Sequence, residues 1–313
     1  MRFSANLGFL WADRPLPDAI RAASAAGFDA VECHWPYETD PAAVKAALEE
    51  TGLPMLGLNT LRGGPGENGL SALPGREAEA RAEIDRALAY AAAIGCGAVH
   101  VMAGAAEGPQ AMATFRANLD YACERAEGRI ILIEPLNRHD APGYFIQTAE
   151  AAAEIIEAAG HPNLRLMFDC YHQQIMGGDL TRRLQRFLPI TGHAQIAAVP
   201  DRGPPDHGEL DYRHMMAVLA AAGWDRPIGA EYKSPLPTDQ TLGWLPVLRG
   251  CGATLSPARS RRLPARRQRS PARRNFPISA PPPAVRPHRG PRTTARPARS
   301  RGRYPAGPPA MPA

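Results

Sequence analysis

Along its first 250 residues the chain alternates between two kinds of segment. Short apolar runs rich in Val, Ile, Leu and Phe begin near Phe3, Ala30, Met55, Ala98, Ile130, Leu164, Ile190 and Ile228, and these read as buried strands. Between them lie longer Ala-rich stretches with charges at helical spacing, near 16–26, 41–51, 77–94, 110–126, 148–159, 179–187, 211–222 and 239–248, which read as covering helices. Gly27, Gly52, Gly95, Gly128, Gly160 and Gly223 each follow one of these stretches, where a C-terminal cap is expected. Eight β–α units in about 250 residues is the size and count of a (β/α)8 TIM barrel, the α/β fold expected here. A doubly wound open sheet shares the alternation, but the Gly-x-Gly-x-x-Gly fingerprint after its first strand is missing. The Gly/Pro-rich stretch 63–75 is too long for a plain connector and reads as a lid or binding loop.

Composition changes this picture at one place. The 313 residues are 44% hydrophobic, enough for a large core, and no run approaches the ~18 apolar residues of a membrane span. Asp13 and Arg14 follow a very short apolar stretch, which makes a poor signal peptide, so a cytoplasmic protein is expected. The five cysteines are scattered without a Cys-x-x-Cys pair, suggesting neither a disulfide framework nor a structural zinc site. The net charge of +5 conceals a sharp step: 15 of the 36 basic residues and none of the 31 acidic ones lie from Cys251 onward. The first 250 residues therefore hold 21 basic against 31 acidic groups, about −10. The stretch 251–313 is dominated by Arg, Pro, Ala and Ser and lacks hydrophobic periodicity, so a disordered tail is expected beyond a barrel domain of residues 1–250. Such a composition arises from out-of-frame or read-through translation of GC-rich coding sequence. The alternative is an electrostatic nucleic-acid arm, for which the tail offers only Phe276 and Tyr304 as stacking platforms.

In a parallel barrel, chemistry sits where strands end at the C-terminal face. Ile130 to Ile133 ends at Glu134, Leu164 to Phe168 ends at Asp169, and Ile228 to Ala230 ends at Glu231. The run from Ile190 carries His193 and Gln195, which share a strand face by period two. A single acid at a strand end is more often a helix cap or loop ion pair than a catalyst; four oxygen or imidazole donors from consecutive units make a stronger case. Glu134, Asp169, Gln195 and Glu231 form an oxygen-rich set that suits Mg2+ or Mn2+. Two carboxylates beside a metal-held hydroxy-carbonyl compound can move a proton between adjacent carbons, the chemistry of aldose–ketose isomerisation. His172, just past Asp169, reads as a partner of that acid, a substrate donor or an ordinary loop histidine. Arg202 can clamp a substrate carboxylate bidentately or stand solvated in its loop.

These residues lie in blocks that resemble the hydroxypyruvate isomerase family, within the xylose-isomerase-like TIM barrels. The blocks are Val31-Glu32 with Pro36-Tyr37, Pro74-Gly75-Arg76-Glu77, Val99 to Gly104, and Ile133-Glu134-Pro135-Leu136-Asn137 with Asp140 and Pro142-Gly143. They continue with Asp169 to Gln174, Gly192 to Ala197, Arg202 through Gly208-Glu209-Leu210-Asp211-Tyr212, and Gly229 to Lys233. The resemblance runs from about Phe3 to Leu248. It implies a metal-supported isomerase without organic cofactor that acts on hydroxypyruvate or a close 2-oxo acid. It gives Glu134 and Glu231 the proton-transfer roles, and Glu134, Asp169, Gln195 and Glu231 the metal. Substrate contacts are expected from His172, Arg202 and His193. Related ketose epimerases carry a histidine where Gln195 stands.

The same motifs would serve a four-carbon 2-oxo-tetronate isomerase. A ketose 3-epimerase ranks below it because of Gln195, and a phosphodiester-cleaving nuclease of this barrel class would need more histidine ligands. A sugar-acid binding protein is the non-enzymatic reading. The expected partner is a small hydroxy-oxo acid, with neither membrane nor nucleic acid engaged by the barrel, and a homo-oligomer is compatible with the sequence.

Overall fold

The computed structural model describes residues 1–251; the expected disordered tail, apart from Cys251, falls outside the described residues. The strands are β1 (Phe3–Asn6), β2 (Ala30–Glu32), β3 (Gly57–Asn59), β4 (Ala98–His100), β5 (Ile130–Ile133), β6 (Leu164–Asp169), β7 (Thr191–Ile196) and β8 (Ile228–Ala230). The helices are α1 (Leu16–Ala25), α2 (Pro41–Thr51), α3 (Glu77–Ile94), α4 (Gly108–Arg125), α5 (Ala149–Ala159), α6 (Cys170–Met176), α7 (Leu180–Phe187), α8 (Tyr212–Ala221) and α9 (Trp244–Gly250). All strand pairs are parallel, in the order β2-β1-β8-β7-β6-β5-β4-β3. The seam between β2 and β3 is closed by Val31 N–H to Pro54 O at 3.0 Å, Leu56 N–H to Val31 O at 2.8 Å and Cys33 N–H to Gly57 O at 3.1 Å. The result is the closed (β/α)8 barrel.

Local chemistry explains the boundaries. Asp40 accepts Ala42 N–H and Pro41 opens α2, Thr148 caps α5, and Asp211 caps α8. The six glycines expected as caps all have positive φ, between 69° and 86°. Three elements differ from expectation. Met55 makes only an isolated bridge to Val31, and β3 begins at Gly57. The stretch 239–248 divides into a 3-10 turn, Thr238–Gln240, and α9. Helix α6 has no apolar stripe in sequence because Tyr171, His172 and Gln173 are all buried at its start. Trp244 of α9 packs edge-on against Phe3 at 5.3 Å and against Tyr232 at 6.1 Å, tying the last helix to the first strand. The 63–75 loop is held down: Glu67 accepts Gly64 N–H at 2.6 Å, and Gly69 bridges Ala103 beyond β4.

Candidate active site

Every strand delivers a polar side chain to one end of the barrel. Asn6, Glu32, Asn59, His100 and Asp169 close their strands, Gln195 stands one residue from the end of β7, and Glu134 and Glu231 follow β5 and β8. All but Asn59 are buried. Glu134, Asp169, His172 and Glu231 bring one ligand-type atom each to within 4.8 Å of one another.

Asp169 shows how one carboxyl serves both fold and site. Its Oδ1 accepts Tyr171 N–H at 2.9 Å and caps α6, the ordinary work of an acid at a strand end. Its Oδ2 is buried and has no hydrogen-bond partner among the described residues. Glu134 Oε1 and Gln195 Oε1 are orphaned in the same way. An unpaired buried polar atom costs about 1–3 kcal/mol, so Glu134 Oε1 and Asp169 Oδ2 within one cluster mark a place for a cation, and Gln195 lines a cavity with Glu134 and Glu231 beside it. Charge crowding says the same. Burial, then the charges of Glu231 and Asp169, push the Glu134 carboxyl well above the usual range. Burial, then Glu231, raises Asp169 to about 7. Buried oxygen donors with crowded carboxyls could hold a metal ion.

Glu231 is held in the opposite direction. Burial pushes its carboxyl up, but the Arg202 guanidinium and the hydrogen bond with His34 outweigh burial and hold it well below the usual range. Its Oε1 accepts from Asn6 Nδ2 at 2.9 Å and lies 2.9 Å from His34 Nε2, while Oε2 accepts from Arg202 at 2.7 Å. The solvated alternative for Arg202 is thereby set aside. The side chain is only 12% exposed, stands 3.2 Å from Asp140 Oδ2 and 3.9 Å from Asp169 Oδ2, and lies over the rings of Phe9 and Tyr171.

His172 is no loop histidine. Its Nδ1 accepts the Asn137 backbone N–H at 3.0 Å, and burial pushes the imidazole well below its ordinary range. The neutral ring therefore carries its hydrogen on Nε2, which is 3.6 Å from Asp169 Oδ2 and 3.7 Å from Glu134 Oε1. That nitrogen offers a hydrogen to the cluster, not a lone pair, so it suits a substrate oxygen better than a metal.

His193 and Gln195 share a face as period two requires, but they line an inner cavity of about 180 Å3 within the barrel, together with Asn6, Glu32, Met167 and Arg226. His193 Nε2 lies against Glu32 Oε2. An outer cavity of about 330 Å3 opens above, bordered by Arg62, Asn68, His172, Arg202 and Lys233. Asn59, His100, Glu134 and Glu231 border both. His193 is thus separated from the outer cavity where His172 and Arg202 meet.

The sequence reading overlooked Asn6, Glu32, His34 and His100 as site residues. The strand-end rule, extended to the first four strands, finds three of them; His34 lies two residues past β2. Both ring nitrogens of His100 are buried without a hydrogen-bond partner among the described residues, and burial lowers its pKa to about 3, so the ring is neutral. Its Nδ1 is 3.7 Å from Glu134 Oε2. No described helix is long and apolar enough to cross a membrane.

Comparison with known proteins agrees with this geometry. The family model described as xylose isomerase-like TIM barrel matches residues 20–248. A 2-oxo-tetronate isomerase of Cupriavidus necator is 43% identical over 252 residues, covering 78% of this chain and 97% of that protein. A human protein provisionally named hydroxypyruvate isomerase is 41% identical over 260 residues, covering 78% and 94%. A crystal structure from Brucella melitensis, described as an AP endonuclease of family 2, superposes with a TM-score of 0.76 at 37% identity, covering 79% of this chain and 98% of that one.

Proposed function

The chain belongs to the xylose isomerase-like TIM barrel family, and we propose that it interconverts hydroxypyruvate and tartronate semialdehyde through an enediolate. It is an isomerase, and no organic cofactor is needed for this chemistry. The observation that carries the reading is the pair of buried carboxyls, Glu134 after β5 and Glu231 after β8, brought together from different sides of the mouth, one oxygen of each within 4.8 Å of the other. A substrate held over them can present one carbon to each.

Glu134, Asp169, Gln195 and Glu231 would hold a divalent Mg2+ or Mn2+, which supplies positive charge beside the substrate's carbonyl and hydroxyl oxygens. The remaining work falls to side chains. One glutamate removes a proton from the hydroxyl-bearing carbon, and the electron pair becomes the double bond of the enediolate. A proton returns to the former carbonyl carbon with help from the other glutamate, and the hydroxyl proton passes between the two oxygens. No oxidant enters, because the oxidation of one carbon equals the reduction of its neighbour. His172 Nε2–H and the Arg202 guanidinium face the region where oxygen charge develops.

A second reading, 2-oxo-tetronate isomerisation, is favoured by the Cupriavidus necator relative. The two differ by one carbon at the far end of the substrate. Proton exchange in D2O separates them. Purified protein is offered hydroxypyruvate, 2-oxo-tetronate and a ketohexose in parallel, and deuterium entry is followed by NMR. Fast entry into either 2-oxo acid is expected. Exchange confined to the ketohexose would replace the proposal with an epimerase, and exchange into none would leave a binding protein.

A further inference from the structure

Below the acid cluster the barrel holds a second polar group centred on Glu32, at the end of β2. Its carboxyl is buried and gathers donors from two other strands. Oε1 accepts from Gln195 Nε2 at 2.9 Å and Asn6 Nδ2 at 3.1 Å; Oε2 accepts from Ser4 Oγ at 3.2 Å and lies against the His193 ring. Strand β8 makes room for it at Gly229, where a Cβ would stand 2.6 Å from Glu32 Oε1 and 2.7 Å from Gln195 Cγ. A group approached by N–H and O–H from both sides must only accept, and among residues of this size only a carboxylate meets that condition.

The consequence lies at Gln195. The oxygen and nitrogen of a side-chain amide are nearly the same size, so packing alone cannot decide which faces the acid cluster. Turning the amide over would set its carbonyl against the Glu32 carboxyl, oxygen against oxygen. Glu32 therefore pins Nε2 toward itself and leaves Oε1 buried and without a partner among the described residues, like Glu134 Oε1 and Asp169 Oδ2, on a residue that lines the same inner cavity as Glu134 and Glu231. The same Glu32 oxygen takes Asn6 Nδ2, which also donates to Glu231 Oε1 at 2.9 Å. Asn6 cannot turn over either, because its Oδ1 accepts Gly8 N–H at 2.9 Å.

We propose that Glu32 is a positioning residue that makes Gln195 an oxygen donor toward a divalent cation, through the hydrogen bond that fixes the Gln195 amide. The inference rests on the metal reading given under the proposed function. Partners that orient metal ligands typically contribute about 10–100-fold in metal affinity.

The test is calorimetric titration of chelator-stripped full-length protein with Mn2+, with melting curves for every variant. The parent is expected to bind one Mn2+. In Glu32→Gln the new amide can donate to Gln195, which frees that side chain to turn its NH2 toward the cluster; affinity should fall about 10–100-fold. The exchange variant Glu32→Gln with Gln195→Glu keeps the total charge and reverses the hydrogen bond. It presents an oxygen whichever way the group at 195 turns, so it should bind Mn2+ several-fold more tightly than Glu32→Gln. Gln195→Glu alone, which adds the same carboxylate opposite an intact Glu32, controls for charge: should it gain as much over the parent as the exchange variant gains over Glu32→Gln, charge accounts for the recovery and the inference is overturned. Folded Glu32→Gln with parental affinity, or a folded exchange variant as weak as Glu32→Gln, overturns the inference. Should Glu32→Gln alone unfold, the exchange variant decides on the same criterion; loss of fold in both assigns Glu32 to the core and overturns the inference too. A parent that takes up no Mn2+ refutes the metal reading itself, an outcome distinct from all of these.

Discussion

Replacing Glu134 or Glu231, the two glutamates proposed to move the proton, by glutamine should have the same effect on turnover and opposite effects on stability. Glu134 Oε1 has no hydrogen-bond partner among the described residues, so Glu134→Gln gives up no bond at that oxygen. Its carboxyl is held well above the usual range, first by burial and then by Glu231 and Asp169. A carboxyl whose folded pKa exceeds its unfolded one binds its proton more tightly when folded, so its contribution to stability falls as pH rises above the unfolded value. At neutral pH the metal-free protein bears that cost, and an amide does not. Glu134→Gln should therefore raise the Tm of the metal-free protein near neutral pH. Glu231 is the reverse case, because Arg202 and His34 hold its carboxyl down despite burial. Glu231→Gln removes the partner that Arg202 holds at 2.7 Å. Breaking a buried pair costs about 3–5 kcal/mol, here offset in part by Asp140 at 3.2 Å and by relieved crowding. A net loss of about 1–3 kcal/mol is expected, a fall of roughly 2–10 °C. Both variants should lose about 10²–10⁴-fold in kcat, equivalent to about 3–5 kcal/mol in the barrier. Because both residues serve one relay, the double variant should be little slower than either single one. Thermal melts of chelator-treated protein near pH 7.5, with kcat on the reloaded enzyme, make the comparison. Melting temperatures that move the same way refute the electrostatic argument. Near-normal turnover in either variant, with native circular dichroism, removes the two-carboxylate mechanism.

Arg202→Ala should lower kcat as well as raise KM, each by about tenfold, because the guanidinium contacts Glu231 and is not reserved for the substrate; an effect on KM alone, in steady-state kinetics, would place it only at the substrate. Exhaustive chelation should abolish most activity, with Mg2+ or Mn2+ restoring it; full activity in metal-free protein would leave the four donors as acid–base and hydrogen-bonding groups only. With Asp169 raised to about 7 and Glu134 held above the usual range, a cation must displace protons, so Mn2+ affinity should strengthen as pH rises through 7; a flat calorimetric profile contradicts this. Gly229→Ala forces a methyl against Glu32 and Gln195, so a loss of about 1–3 kcal/mol by thermal melt and weaker Mn2+ binding should come together; unchanged Mn2+ binding would show that the lumen can yield without disturbing Gln195.

The barrel was legible because its signals are local and repeated. Eight apolar runs, six capping glycines and the strand-end acids each report on their own few residues. The departures occur where a nonlocal fact decides. Helix α6 presents Tyr171, His172 and Gln173 to the interior, a face that hydropathy reads as polar. The 3-10 turn at Thr238–Gln240 depends on Trp11, whose N–H donates to Thr238 Oγ1 at 2.8 Å and whose indole donates to Asp239, more than two hundred residues away in sequence. The site divides in the same manner. Glu134, Asp169 and Glu231 end apolar runs and announce themselves. Glu32 also closes a strand, but its meaning depends on Gln195, 163 positions later. His193 shows the limit of period two: it fixes the face a residue occupies, but not how deep in the barrel the side chain ends.

On the proposed metal reading, a balance of charge explains why a neutral amide stands at Gln195. Glu134, Asp169 and Glu231 contribute three negative charges when a cation holds them ionised, and Arg202, within 4 Å of two of them, returns one positive charge. A divalent cation then brings this inner group to neutrality, which a low-dielectric site favours over any residual charge. A fourth carboxylate at 195 would leave one charge uncompensated and would face Glu32 besides. The amide supplies an oxygen without charge, at the cost of an orientation that must be fixed from elsewhere. An anionic substrate adds its own charge to this neutral group, so cations in the outer cavity must answer it. Arg62 and Lys233 stand there, over the rings of Trp35 and Phe9, and neither is ion-paired among the described residues. The inner group is thus balanced for a cation, and the outer rim retains positive charge for a substrate carboxylate.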